Sequence, residues 1–518
     1  MSIFAIIILI THYVLVAILC LYGAHRIYHS LVAKKVFKTV NDPVLPQRDV
    51  DFNYPHVTVQ TPMYNEKFVA KRIIDAVLAF DYPKDKIQFQ VLDDSTDESI
   101  EIVANTVAHY KARGFDIEHV RRESRRGYKA GALADAMDDV KGDFIAIFDA
   151  DFIPHPDFLQ RTIPYFSDPK IGLVQGRWTY LNSGKNTLTR LQSVMLDAHF
   201  GVEQVTRYGK GVFFNFNGTA GVWRKETIME AGGWRADTLT EDTDLSYRAQ
   251  TLGWQFIYNP DIDCPSELPE DMNAFKTQQH RWAKGGIEVL KKLIPTVFAS
   301  DIPFKAKAEA FFHLIGNFSY LLIFIDSLFF LLPTVHIREQ MGPNLLVWLD
   351  IPIFAFASLS HAYFFLSGQS RLYGKMRDKI SILPTLLATS IGLGVNNGRA
   401  VIEALIGYKT GFVRTPKLGS DLNATARQNS YQANSQNWAT YFELLLGTVY
   451  TLFLVWALSR NYWMVSPFLT LFAIGFFYTG FFSLVQNYSK SKAQRKYKAA
   501  ADKDLAGKKA LSRQLSEP

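Results

Sequence analysis

Phe144-Ile145-Ala146-Ile147-Phe148-Asp149-Ala150-Asp151 is the stretch that decides the fold. Five apolar residues, aromatic and β-branched for the most part, make a short strand suited to burial on both faces. Strands of that kind belong to parallel sheets covered by helices. The run then stops at two carboxylates one residue apart. Two acidic side chains so placed can hold a hard divalent cation through oxygen ligands. A bare D-x-D is also common in solvated turns, but its position directly after an apolar strand argues against a turn.

The same pattern recurs on either side. Residues 56–61 read as a strand, followed by a turn at Pro62 and a helix from about Lys67. Residues 88–92 form a second strand that ends at Asp93-Asp94, and residues 117–120 suit a third. Alternating strands and helices predict a largely parallel sheet with helices on both faces. Ligands bind beyond the carboxyl ends of such strands. The acidic motifs sit at those ends, so they are expected to converge.

Two further motifs follow. Thr240-Glu241-Asp242 comes after the turn Gly232-Gly233-Trp234. Transfer of a sugar to a hydroxyl needs a base, and either carboxylate suits that role. A helix N-terminal cap is the plainer reading. In Gln278-Gln279-His280-Arg281-Trp282, Gln278, Arg281 and Trp282 are spaced i, i+3 and i+4, so they share a helix face. Arginine forms forked hydrogen bonds to phosphate, and tryptophan offers a flat surface for a sugar ring.

Net charge is +7 over 518 residues. The positive charge gathers beside apolar runs, where it sets membrane orientation, so a nucleic-acid partner is not expected. Cys20 and Cys264 are the two cysteines, which excludes a disulfide framework or a Cys-rich zinc site. An apolar run at residues 3–22 has no Lys or Arg before it and is followed by Arg26, Lys34 and Lys35. That predicts a retained anchor with its N-terminus outside, not a cleaved signal peptide. Later apolar runs cover residues 311–335, 345–366, 380–395, 441–458 and 463–484. A crossing needs roughly 20 residues. Residues 380–395 are short, interrupted by Pro384, Gly392 and Gly394, and basic on both sides. The positive-inside rule therefore lays 380–406 along the inner interface. Five crossings result, with the basic tail inside. Asp326 and Asp350 fall within crossings, lining an exit path or pairing with a neighbouring helix.

Taken together, these residues resemble the family-2 inverting glycosyltransferases, above all the processive, membrane-embedded cellulose synthase and cellulose-synthase-like mannan and glucan synthases. The resemblance covers residues 57–419. It implies an α/β glycosyltransferase-A (Rossmann-like) cytosolic domain inserted in an all-α transmembrane domain. Thr61-Pro62-Met63-Tyr64-Asn65-Glu66 resembles the first nucleotide-binding stretch, and Asp94 the second. Lys129-Ala130-Gly131 resembles the segment beside the nucleotide. Asp149 and Asp151 match the metal-binding D-x-D, expected to hold Mg2+ or Mn2+. Asn217-Gly218-Thr219 matches a stretch near the acceptor end. The resemblance makes Asp242 the base, with Glu241 and Trp282 on the acceptor side and Gln278 and Arg281 on the donor side. Phe412-Val413-Arg414-Thr415-Pro416-Lys417 resembles the gating loop that closes over bound nucleotide, through Phe412, Thr415 and Lys417. Bacterial cellulose synthase carries a cyclic-dinucleotide-binding domain after its last crossing. Only residues 489–518 follow here, so that control is expected to be absent or supplied by a partner.

The expected organisation is an anchor and linker at 1–50, a catalytic domain at 51–300, a channel domain at 301–488 and a basic tail at 489–518. The expected reaction is processive polymerisation of a β-glucan or β-mannan from UDP-glucose or GDP-mannose at the cytosolic face of the cell (inner) membrane. The partners implied are the nucleotide sugar, the growing polysaccharide and the lipid bilayer. Export or regulatory proteins and the oligomeric state stay open. The alternatives are a non-processive, ceramide-type lipid glycosyltransferase and a transport or scaffold protein with a degenerate transferase domain.

Overall fold

The computed structural model describes residues 2–41, 53–341, 346–374, 376–412, 414, 417, 419 and 437–488. Its strands are β1 (Val57–Met63), β2 (Ile87–Asp93), β3 (Ile117–Val120), β4 (Phe144–Ile147), β5 (Ile171–Tyr180), β6 (Gly221–Arg224) and β7 (Gln255–Ser266). They form one sheet in the order β3-β2-β1-β4-β6-β5-β7. The four strands expected from sequence pair in parallel. Every residue of β1, β2 and β4 is buried, which is why they read as unbroken apolar or mixed runs without a solvent face. Strand β6 runs antiparallel to both neighbours and makes the sheet mixed.

Register places the site. Val57 pairs with both Ile87 and Phe144, so Met63 lies level with Asp93, and Asp149 leaves the sheet at the same edge. The carboxyl ends of three parallel strands thus open on one side.

The helices used below are α1 (Ile3–Asn41), α2 (Ala70–Leu78), α3 (Ser99–Lys111), α4 (Tyr128–Asp135), α5 (Thr187–Ala198), α6 (Glu241–Thr251), α7 (Met272–Ala299) and α8 (Phe304–Ile315). They continue with α9 (Phe318–Met341), α10 (Trp348–Tyr373), α11 (Leu383–Leu405), α12 (Trp438–Ser459) and α13 (Trp463–Tyr488). Helix α2 starts three residues later than predicted, after a turn in which Ala70 N–H donates to the Glu66 carbonyl. Helix α7 is capped by the Asp271 carboxylate, which accepts from Ala274 N–H at 2.8 Å.

Among the described residues, five helices are long and apolar enough to cross a membrane: the Ile3–Phe37 part of α1, then α9, α10, α12 and α13. This is an integral membrane protein. Helix α11 is not among the five. It packs along α7 and α9. Asp326 meets His12 of α1 at 2.7 Å, and Asp350 meets Arg338 at 3.4 Å. Both carboxylates therefore pair with neighbouring groups, and Asp326 also lines the larger cavity described below. The tail at 489–518 lies outside the described residues.

Candidate active site

Strand β4 delivers Asp149 and Asp151 to a cavity of about 180 Å³. Asp149 N–H donates to Thr219 Oγ1 at 2.9 Å, which ties the acidic turn to the loop before β6. The Lys129 ammonium at the start of α4 donates to Asp149 Oδ1 at 2.5 Å and to the Gly218 carbonyl at 2.7 Å. Burial pulls its pKa down, but Asp149, Glu241 and Asp242 outweigh burial and leave it raised. Backbone strain collects here. Asn65, Tyr128 and Ala220 adopt left-handed φ values of 57°, 52° and 55°, each costing on the order of 1–3 kcal/mol. Gly218 has φ 81°, and a Cβ on it would stand 3.0 Å from Asp242 Oδ2. Only glycine fits there.

Asp94, at the end of β2, is gripped by Arg122 through two hydrogen bonds of 2.9 and 2.6 Å. Arg125 lies flat over the Tyr64 ring, its guanidinium carbon 3.5 Å from the centroid. The Phe412 ring stands 4.5 Å from the Arg281 guanidinium carbon and 5.7 Å from the Tyr128 ring. Arg281 and Arg125 thus flank an aromatic wall made by Tyr64, Tyr128 and Phe412. Burial lowers the Arg281 pKa, against Glu241, Asp149 and Asp242.

Glu241 and Asp242 open the first turn of α6. Thr240 stands at the cap position but makes no capping hydrogen bond with its side chain. Asp242 Oδ1 accepts from Thr243 N–H at 2.7 Å. Burial first, and Glu241 second, push the Asp242 pKa up to about 7, against the Thr243 N–H and Lys129. A carboxyl near neutrality is matched to general-base work.

The basic strap beyond α11 reaches this cavity. Arg414 forks onto Glu66 at 2.8 and 2.5 Å. Burial still raises the Glu66 pKa to about 7. Lys417 Nζ meets Asp151 Oδ2 at 2.5 Å and the Glu267 carbonyl at 3.0 Å. Glu267 in turn accepts from Gly419 N–H and from Arg72. The root of the strap is fixed to α7, where Lys284 Nζ donates to Thr410 Oγ1 at 2.8 Å. Thr415 lies outside the described residues.

Tyr64, Glu66, Asp94, Lys129, Asp149, Asp151, Asn217, Gly218, Glu241, Asp242, Gln278, Arg281, Trp282, Phe412 and Lys417 all line the cavity. Thr61 does not. It sits inside β1, 2% exposed, where the sheet is covered on both faces. Arg122, Arg125 and Glu267 were not anticipated. The basic run Arg121-Arg122 and Arg125-Arg126, straight after β3, is the signal that points to the first two.

A second cavity, of about 460 Å³, runs from this site between α1, α8, α9, α10 and α13. Asn217, Thr240, Asp242, Gln278 and Trp282 line both cavities. The two meet at the candidate base.

Residues 55–285 match the family described as "Glycosyltransferase like family 2". A probable glucomannan 4-beta-mannosyltransferase 1 of Arabidopsis thaliana is 34% identical over 460 residues, covering 84% of this chain and 79% of its own. The chain belongs to the family-2 glycosyltransferases, in their cellulose synthase-like branch. A probable glucomannan 4-beta-mannosyltransferase 10 of the same plant is 44% identical over 282 residues, 52% of this chain. A probable glucomannan 4-beta-mannosyltransferase 4 of Oryza sativa subsp. japonica is 48% identical over 245 residues, 46% of this chain. The chain spans about half the length of these last two relatives, 51% and 45%. Among solved structures, mannosyltransferase PcManGT from Pyrobaculum calidifontis, in complex with GDP-Man and Mn2+, aligns with 70% of this chain and 99% of its own. At 21% identity and a TM-score of 0.49, that likeness is too loose to carry a reading of the site.

Proposed function

We propose that this family-2 glycosyltransferase moves mannosyl units from GDP-mannose to the 4-hydroxyl of a growing β-linked mannan and passes the chain across the membrane. The carrying observation is the shared wall: Asp242, Asn217 and Trp282 face both the cavity at the strand ends and the passage between membrane helices. Donor and acceptor then reach the base from opposite sides. The names of the relatives favour GDP-mannose over UDP-glucose.

In this reading Asp242 takes the acceptor hydroxyl proton. The freed oxygen pair attacks the anomeric carbon, and the bond to the diphosphate breaks with its electrons on phosphate. The α-linked donor gives a β-linked product. Arg281 forks onto the diphosphate, and the Phe412–Lys417 strap excludes water. Asp149 and Asp151 fit a divalent cation: both are oxygen donors, and each already holds an ammonium, Lys129 or Lys417. Mg2+ or Mn2+ held there would supply neutralisation of the leaving diphosphate. The catalytic domain, the strap, α11 and the tail lie on the cytosolic side, with the N-terminus outside.

Purified protein in nanodiscs, given GDP-mannose or UDP-glucose with Mg2+ or Mn2+, tests this. The expected product is a polymer formed from GDP-mannose and cut by β-mannanase, lost on chelation and regained with either metal. A single sugar on lipid would point to the ceramide-type enzyme instead.

A further inference from the structure

A buried polar chain joins α1 to the acceptor side of the site. After α5 the backbone widens into a π-turn over His199–Gln204. Such turns are rare and gather at functional sites. His199 Nδ1 lies 2.7 Å from Glu203 Oε2. An ionised carboxylate only accepts, so Nδ1 carries the proton. Burial, with Arg207 and Arg26 nearby, holds the His199 pKa down to about 3, so the ring is neutral. Nε2 is then an acceptor, and Asn217 Nδ2 donates to it at 3.0 Å. Asn217 Oδ1 accepts from Gln204 Nε2 at 2.9 Å. The amide is oriented from both ends. Glu203 Oε1 forms an ion pair with Arg26 of α1, and Arg207 lies 3.8 Å from Oε2, the oxygen that meets His199.

An amide side chain has two N–H donors and two acceptor sites. One of each is used by His199 and Gln204. The others remain for a ligand at the junction of the two cavities, which Asn217 lines. We propose that His199 is a positioning residue for the acceptor saccharide: Arg26 of the first membrane helix, acting through Glu203 and His199, sets the Asn217 amide that receives the sugar hydroxyls. This rests on the glycan-synthase reading above. Helix α1 also lines the passage through Val16, Leu19 and Tyr22. The helix along which the product leaves thereby helps to align its end.

The test uses nanodisc protein, GDP-mannose, Mg2+ and a short β-mannooligosaccharide, reading acceptor KM, kcat and product length. Glu203→Leu removes the acceptor for Nδ1–H and lets His199 present an N–H to the Asn217 donor. Acceptor KM rises about tenfold, the equivalent of one lost hydrogen bond, by more than kcat falls, and products shorten. Glu203→Gln keeps a carbonyl for Nδ1–H but not the charge that pairs with Arg26, and restores part of the KM. Asn217→Asp cannot donate to His199, so adding Glu203→Leu to it raises KM no further. Equal KM in the Leu and Gln variants, or additive effects with Asn217→Asp, would overturn the proposal while leaving synthase activity in place. Wild-type protein that polymerises no sugar would defeat the synthase reading and this proposal with it.

Discussion

Opposing effects act on the Asp242 proton, and those that favour the neutral acid prevail. Burial and the Glu241 charge favour the neutral acid, while the Thr243 N–H and Lys129 favour the carboxylate. Burial wins and places the pKa near 7. In the proposed mechanism the working form is the carboxylate, so kcat is expected to rise with pH through about 7 and level off above it. Glu241→Gln removes the like charge and moves that limb to lower pH. A limb that stays put in a kcat–pH profile would assign the whole shift to burial. Asp242→Asn lowers kcat about 10²–10⁴-fold, the usual contribution of a positioned base. GDP-mannose affinity by calorimetry changes little. A matching collapse in affinity would place Asp242 in donor binding instead.

At the scale of elements, the strap puts an ammonium where a metal is expected. Lys417 holds Asp151 while Arg414 holds Glu66. In Lys417→Gln the competitor is gone, so Mn2+ binds the nucleotide-free protein about tenfold more tightly, equal to ~1.4 kcal/mol. Electron paramagnetic resonance titration reads this directly, and weaker Mn2+ binding would make Lys417 a support of the metal site. Phe412→Ala removes the ring beside Arg281, a contact worth ~1–2 kcal/mol when desolvated, and raises donor KM about tenfold. The elements that carry these groups differ in legibility. Strand β4 was readable because continuous burial leaves a continuous apolar run, and β1 and β2 because apolar residues alternate with Thr and Gln up to a turn or an acidic pair. Strands β5 to β7 were not: Gln175 and Arg177 interrupt β5, Asn259 and Pro260 interrupt β7, and β6 has only Val222 and Trp223 between Gly221 and Arg224. The Gln278–Trp282 face was legible because helical spacing is local. Arg122 gripping Asp94 and Glu267 holding the strap depend on contacts between distant residues, which no local period encodes. Thr61 belongs to the same local motif as Tyr64 and Glu66 but lies within β1, buried where the sheet is covered, and so does not line the cavity.

Across the whole molecule, α7 is the element shared by both halves. It carries Arg281 and Trp282 to the site, and one turn earlier it sends Lys276 between α12 and α13. There Lys276 ion-pairs with Glu443, which is wholly buried, and donates to Ser483 Oγ at 2.9 Å. Asn273 and Asn487 add a hydrogen bond of 3.0 Å. A buried pair gains little over a well-packed apolar one, because desolvation offsets the attraction. Its loss on one side is costly, because an uncompensated charge stays buried. Glu443→Leu is therefore expected to destabilise the joined protein by ~3–5 kcal/mol, read as a lower melting temperature in detergent. Lys276→Met added to it recovers most of that loss. The same pair of variants separates two roles for the clamp. If it only holds the halves together, activity returns with stability in the double variant. If the charge itself sets the angle of α7, the double variant melts like wild type but keeps a raised donor KM, because Arg281 is displaced with the helix. The first result is expected, since the hydrogen-bond partners of Lys276 Nζ among the described residues, Glu443, Thr479 and Ser483, are all on α12 and α13.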